Sequence, residues 1–158
     1  MTTTLTLLGT GNPGCFANIY QTASAMVVEG NPYIIDCGGG TVQRLSSARA
    51  AGQEALRLGN LKTLIITHLH PDHTLGIPAF IISNWVKGRT EPLQIYGPKG
   101  LRKIAFGALD MFAEGIAEHQ RSGANPLGEI ALEVTEHEDG IIYTDERVSV
   151  EAFRVQHG

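Results

Sequence analysis

The chain has 158 residues, of which 42% are hydrophobic and 18% are charged. This length fits one domain of ordinary size or part of a larger one, and the composition is that of a globular protein rather than a disordered one. The formal net charge of −4 excludes the overall basic character that many nucleic-acid-binding proteins show. A local basic patch or a metal ion could still hold a phosphate group.

The amino-terminal run MTTTLTLLGTGNPG has neither a basic start nor a sustained apolar stretch, so we expect no signal peptide. The longest apolar runs are too short to cross a bilayer. Cys15 and Cys37 are the two cysteines and form no CxxC motif, so we expect both to be reduced. These features predict a soluble cytoplasmic protein with no membrane partner.

Polar and apolar residues alternate over residues 3–8, which predicts a first strand that stops at a cluster of turn-forming residues. Residues 23–29 and 33–36 are predicted to form a hairpin, with Gly-Asn-Pro at positions 30–32 as its turn. Three glycines follow at 38–40. The apolar spacing after them predicts a helix over residues 41–51.

The run LKTLIIT, residues 61–67, is rich in isoleucine and leucine and predicts a buried strand. The spacing after it predicts a helix over residues 75–86, with Pro78 tolerated in its first turn. A further strand is expected at 93–96, and a long helix at 101–120.

Three short strands are expected near the end of the chain, at residues 130–135, 141–143 and 148–155, the last two joined as a hairpin by residues 144–147. Hairpins at both ends with helices between them predict a layered α/β fold.

Histidines and an aspartate cluster where the buried strand ends. His68 and His70 are two residues apart, so in extended backbone they point to the same side, and Pro71 favours an extended His70. Asp72 and His73 follow as the chain bends into a helix and can face a second point nearby. Imidazole and carboxylate groups together suit zinc, and also manganese or iron.

Two ions about 3.5–4 Å apart could hold a hydroxide nucleophile and neutralise charge on a substrate. The alternative is that these are ordinary surface-turn residues. Four ligand-type side chains within six positions favour the metal site, because without a ligand their burial would cost desolvation energy.

The run HLHPDH matches the HxHxDH signature of the metallo-β-lactamase fold. Together with it, LGTGNP, IIDCGGGTVQRL, ITHLHPDHTLGIP and NWVKGRTEPLQIYGPKG resemble the ribonuclease Z and arylsulfatase-like branch of that fold. The resemblance implies an αββα sandwich, of which this chain supplies mainly the N-terminal αβ half. Residues 1–158 would then be the N-terminal part of a single domain, and the inner face of its sheet would need a cover.

The resemblance also implies roles for individual residues. His68, His70 and His157 would bind a first ion, while Asp72 and His73 would bind a second. Both ions are expected to be Zn²⁺, with Mn²⁺ or Fe²⁺ as alternatives, and Asp72 is the residue expected to take part in catalysis. For His157 the alternative is an ordinary histidine near the chain end.

Asp36 matches an aspartate that supports such sites from outside the ligand set, although a turn-capping role is an open alternative. Trp85 could stack on a base or aryl group, but a tryptophan at the edge of the core is favoured. His119 and His137 are expected to be exposed. A solvated face is favoured over phosphate binding for a local group of basic residues, namely Lys87, Arg89, Lys99, Arg102 and Lys103.

Three functions remain open from the sequence. The first is a dinuclear metal-dependent phosphodiesterase, with RNA as a candidate substrate and tRNA 3′ processing as a candidate reaction. The second is a hydrolase of aryl sulfates or other small esters with the same site. The third is an incomplete, non-catalytic chain that binds metal or a partner, with a homodimer as one form of that partner.

Overall fold

The computed structural model describes residues 2–14, 16–122 and 128–157. Cys15, whose reduced state the sequence predicts, lies outside these ranges. Strand order in the principal sheet follows chain order, and its six strands are β1 (Thr3–Gly9), β2 (Ala23–Val28), β3 (Asn31–Ile35), β4 (Thr63–Ile65), β5 (Leu93–Gly97) and β6 (Leu132–Glu136). The strands from β1 to β3 pair antiparallel, and those from β3 to β6 pair parallel.

Helices cover one face of this sheet, as parallel strands require helical crossovers. They are α1 (Thr41–Ala50), α2 (Pro71–Thr74), α3 (Ile77–Val86), α4 (Leu101–Met111) and α5 (Ala113–Arg121). The core lies between these layers, where alternate strand residues meet apolar helix residues. Its members include Ile34, Leu64 and Ile95 from the strands, and Leu45 and Phe80 from the helices, all fully buried.

A separate hairpin of β7 (Gly140–Thr144) and β8 (Ser149–Ala152) contacts the opposite face of the sheet. The ring of Tyr143 lies 5.9 Å from Tyr33 and 5.1 Å from Tyr96, centroid to centroid. Cross-strand register places Leu5 in one row with Met26 and Tyr33, so Leu5 belongs to this same face and is 59% exposed. The hairpin therefore covers the middle of this face and leaves the β1 edge open.

The early hairpin is confirmed, but its turn is not where the sequence places it. Val28 pairs with Asn31, so the turn consists of Glu29 and Gly30, both with positive φ (50° and 82°). A two-residue turn that matches the strand twist needs this conformation at both positions. Pro32 lies within β3, where its missing N–H costs nothing because pairing with β4 begins only at Tyr33.

Two of the predicted helices are divided differently in the structure. Helical backbone begins at Pro71, four residues earlier than predicted, and is interrupted at Leu75–Gly76 before α3 starts. The long helix is broken at Phe112, whose φ of −109° and ψ of 14° leave the helical region. The predicted strands at residues 61–67 and 148–155 keep ladder pairing only over Thr63–Ile65 and Ser149–Ala152.

No helix among the described residues has the length and apolar character needed to cross a membrane.

A carboxylate anchors the β7–β8 hairpin to the sheet. Oδ2 of Asp145 accepts hydrogen bonds from the hydroxyls of Tyr33 (2.5 Å) and Tyr143 (2.8 Å), and Oδ1 accepts from the backbone N–H groups of Arg147 and Val148. Burial alone would raise the pKa of Asp145, but these hydrogen bonds, led by that from Tyr33, hold it well below its usual range.

We therefore expect Asp145→Asn to lower the free energy of unfolding by about 2 kcal/mol at pH 7, because hydrogen bonds to a charged acceptor are lost. A depressed carboxyl pKa stabilises the fold in full above the unfolded-state value of about 3.9; the contribution declines as the pH falls below that value and is lost only when the pH falls through the lower folded-state pKa. Urea unfolding at pH 7 and pH 3 measures both effects. Glu146→Gln, in the same turn but 90% exposed, is the control and should change little. If the difference in unfolding free energy between the unmodified protein and Asp145→Asn were as large at pH 3 as at pH 7, the proposed role of the Asp145 carboxylate would be contradicted.

Candidate metal centre

The histidine run spans the junction between β4 and α2. His68 lies three residues beyond the last residue of β4. His70 has extended backbone (φ −60°, ψ 146°) and caps α2, whose first residue is Pro71. Asp72 and His73 fall in the first turn of α2. The proline thus fixes the point at which the chain changes from extended to helical, and the four side chains are presented from both conformations.

Three imidazoles converge although they come from two distant parts of the chain. Nε2 of His68 lies 3.0 Å from Nδ1 of His70, and Nε2 of His157 lies 3.2 Å from the same atom. One nitrogen from each ring lies within 4.8 Å of the other two. Tetrahedral zinc with bonds of about 2.0–2.1 Å separates its ligand atoms by about 3.3 Å, so this spacing and donor set fit such an ion.

A second pair of donors lies beside the first group. The ring of His73 is 4.0 Å from that of His68, and Nε2 of His73 is 3.6 Å from Oδ2 of Asp72. Asp72 is only 6% exposed, and its Oδ1 is buried without a hydrogen-bond partner among the described residues. A buried carboxylate oxygen is costly to leave unpaired, so a cation here would satisfy it.

Asp36 contacts the site from beneath. Its backbone has a positive φ of 60°, which is rare for a residue with a side chain and aims the carboxylate at the start of the motif. Oδ1 accepts hydrogen bonds from the N–H (2.8 Å) and hydroxyl (2.9 Å) of Thr67, and Oδ2 lies 2.8 Å from Nδ1 of His73. With Nδ1 donating to Asp36, the lone pair of His73 is on Nε2, which faces Asp72.

The motif is also held by main-chain contacts to the loop after β3. The N–H of Cys37 donates to the carbonyl of His73, and the N–H of Gly76 donates to the carbonyl of Cys37, both at 2.8 Å. The close approach needs glycine: a Cβ on Gly38 would lie 2.2 Å from the carbonyl oxygen of Asp72. Sequence reasoning missed Thr67 and Gly76, whose contacts are tertiary. The sequence signals that could have pointed to them were a threonine at the end of the predicted strand and a glycine directly before α3.

Electrostatics favour neutral imidazole at the centre of the group. Burial lowers the pKa of His68, and the neighbouring rings of His73, His70 and His157 lower it further. A neutral ring offers the lone pair that a metal ion requires.

The basic residues near the motif do not form one group. Lys87 and Arg89 precede β5, whereas Lys99, Arg102 and Lys103 follow it, so the two sets lie towards opposite ends of that strand. The expectation that all lie on a solvated face is wrong for Arg89, which is 4% exposed and whose guanidinium donates to the main-chain carbonyls of Glu91 and Ala131. The guanidinium of Arg102 likewise donates to the carbonyl of Val134.

Two histidines outside the motif are less exposed than expected. His119 is half-buried with its ring 5.1 Å from that of Trp85, and His137 is half-buried and stacked 6.1 Å from Tyr96. Neither contributes to the imidazole group. Trp85 itself is 1% exposed, so it belongs to the core, the interpretation that the sequence favoured.

The sheet, its helical layer and the position of the motif are those of a metallo-β-lactamase fold. The structure matches the short form of human tRNase Z with a TM-score of 0.74, covering 99% of this chain and 60% of that one at 24% identity. It also matches the metallo-β-lactamase fold protein YhfI from Bacillus subtilis, with a TM-score of 0.56 over 87% of this chain and 46% of that one at 17% identity. The predicted fold, supplied here as one αβ half, is thereby confirmed.

Sequence comparison identifies the family within the metallo-β-lactamase fold to which this chain belongs. The pattern of the family described as anti-Pycsar protein Apyc1 matches residues 3–158, and the chain belongs to that family. Ribonuclease Z of Mycobacterium avium is 33% identical over 97% of this chain and 54% of its own length. Ribonuclease Z of Methanothermobacter thermautotrophicus is 38% identical over 63% of this chain and 31% of its own. The chain thus spans 54% and 31% of the lengths of these two relatives, and the predicted resemblance to the ribonuclease Z branch is confirmed.

The glycine contact at Gly38 gives a direct test of how the motif is held. Gly38→Ala should lower the free energy of unfolding by about 2 kcal/mol or more, because the new methyl group collides with the backbone of Asp72. It should also weaken zinc binding, measured by competition with a chelator. Gly107→Ala is the matched control, since a Cβ there meets open space on α4, and it should stabilise the helix by about 0.5–1 kcal/mol. Equal stability and equal zinc affinity for the two variants would show that the contact does not hold the motif.

Proposed function

We propose that this protein is a metal-dependent hydrolase of the ribonuclease Z branch that cleaves phosphodiesters at a dinuclear, zinc-type centre. The observation that carries the proposal is the convergence of His68, His70 and His157, two of them 87 residues apart in the chain, with nitrogens 3.0 and 3.2 Å apart. Relatives named ribonuclease Z support RNA as the substrate class. Residues 1–158 would form the N-terminal part of a single domain, which the coverage of those relatives supports.

Each donor group has a proposed task. His68, His70 and His157 would hold the first ion, and Asp72 with His73 would hold the second. Divalent ions bound there would acidify a water molecule and offset the negative charge of the phosphodiester. Asp72 Oδ1, buried and without a partner among the described residues, would be satisfied by the second ion, so Asp72 would take part in catalysis by holding that ion beside His73. Asp36 keeps the ring of His73 in the tautomer that leaves Nε2 free for binding.

Two other functions are alternatives to this proposal. Hydrolysis of aryl sulfates or other small esters needs the same activated water and differs only in how the substrate is held. A non-catalytic role in binding metal or a partner is the second alternative, and the open β1 edge of the sheet, where Leu5 and Leu7 are 59% and 60% exposed, is the observation that favours it.

Replacement of one ligand tests whether hydrolysis depends on the metal centre. His68→Ala should lower turnover of bis(p-nitrophenyl) phosphate by about 100-fold or more, since even outer partners of metal ligands cost 10–100-fold. Bound zinc, measured by mass spectrometry of the purified protein, should fall in parallel. His119→Gln, which replaces a half-buried histidine outside the site, is the control and should retain both the phosphodiester turnover and the bound zinc.

The substrate class is identified by measuring how fast the unmodified protein turns over a precursor tRNA, bis(p-nitrophenyl) phosphate, an aryl sulfate, a lactone and a β-lactam. Phosphodiester cleavage with no aryl sulfate turnover supports the proposal. Turnover of aryl sulfate alone would replace it with the small-ester function. Phosphodiesterase activity that survives after zinc is lost would overturn it.

A further inference from the structure

A cavity of about 470 Å³ opens at the edge of the sheet opposite the histidine motif. It is bordered by the β2–β3 turn and by the residues that lead into β4 and β5, and its polar lining includes Asn31, Asn60, Lys62, Arg89 and Glu91. Its volume is within the range of small-molecule binding pockets, about 300–1,000 Å³. Because the metal ligands follow the other end of β4, this cavity is separate from the proposed active site.

Arg89 is a buried cation with no counter-ion in the part of the chain that the structure describes. It is 4% exposed, and Nη1 donates to the main-chain carbonyls of Glu91 and Ala131. Nε is buried without a hydrogen-bond partner, and no carboxylate among the described residues pairs with the guanidinium. Arginine is seldom buried this deeply unless it is paired. The two carbonyl contacts hold the group in a fixed position at the wall of the cavity.

The charge around the cavity is positive although the chain as a whole is acidic. Lys62 is exposed and forms no ion pair within the described part of the chain, and the exposed Glu91 pairs with neither cation. A second cavity of about 530 Å³ is lined by residues adjacent in sequence to those of the first, among them Leu58 and Lys87. It adds Arg49, Arg57 and Lys87, while its one acidic residue, Glu54, is paired with Arg49. The two cavities thus hold five of the twelve basic residues of a chain whose net charge is −4.

We propose that the 470 Å³ cavity binds a phosphate monoester group, held by Arg89 and Lys62. A phosphate monoester carries a charge of about −1.5 to −2 at pH 7, which two unpaired cations match. Arg89 is already fixed in position, so little side-chain entropy is lost when the ligand binds, while Lys62 can move to meet it. Occupation of this cavity would not compete with a phosphodiester at the metal centre, because the two lie at opposite ends of β4.

The test is a titration of the ¹⁵N-labelled protein followed by NMR, which locates binding residue by residue. Inorganic phosphate should cause saturable shifts of the amides of Gly59, Gly88 and Thr90, which line the cavity. Adenosine 5′-monophosphate should shift the same amides, whereas succinate, a dicarboxylate of equal charge, should bind more weakly. These signals are independent of any phosphate bound at the metal centre, which would shift the amides of His70 and His73 instead.

Lys62→Gln tests the charge without disturbing the core, since Lys62 is exposed. It should weaken phosphate binding at Gly59, Gly88 and Thr90 by about tenfold, the effect of removing one charge at close range in a partly solvated site. Lys103→Gln, an exposed lysine at the other end of the sheet, should leave it unchanged. The proposal is overturned if phosphate shifts only the amides near His70 and His73, if no shift saturates, or if both variants weaken binding equally.

Discussion

The structure depends on bringing several imidazole rings together at one end of a buried strand, an arrangement that is unfavourable by itself. The rings of His70, His73 and His157 lie 4.0–4.7 Å from that of His68, centroid to centroid. Burial lowers the pKa of His68, and these neighbouring rings lower it further, because a second positive charge so close by is unfavourable. Something must hold the rings against that cost. The left-handed backbone of Asp36 directs its carboxylate towards the motif. One carboxylate oxygen accepts a hydrogen bond from Thr67 and the other contacts His73, so Asp36 joins the strand end to the first turn of α2.

The third imidazole, that of His157, comes from a different part of the chain. His157 follows β8, and the β7–β8 hairpin is joined to the sheet through the carboxylate of Asp145 and the hydroxyl of Tyr33, residues separated by 112 positions. The hairpin therefore does two things at once: it covers the middle of one face of the sheet, and it positions the segment that carries His157 beside His68 and His70. The hydrogen bond that joins the hairpin to the sheet therefore also helps to place the segment that carries His157, so a change in hairpin packing is expected to alter the position of that ring.

The parts of this account that depend on local pattern were predictable from the sequence. The ligand-type residues lie within one short run, and strand period and helix spacing located most elements. The failures have tertiary causes. Glu29 adopts positive φ because strand register demands a two-residue turn, and nothing in the residue type marks the helix break at Phe112. The guanidinium of Arg89 donates to carbonyls from two separate segments, and the role of Thr67 depends on Asp36, which lies 31 positions away in the chain.

Anomalous X-ray diffraction at the zinc edge, from crystals grown with Zn²⁺, tests the central claim most directly. The account predicts a peak within bonding distance of His68, His70 and His157 nitrogens, at about 2.0–2.1 Å from each. A second peak is expected about 3.5–4 Å away, beside Asp72 and His73. Zinc absent from this end of the sheet, or His157 directed away from the other two rings in the zinc-bound crystal, would contradict it.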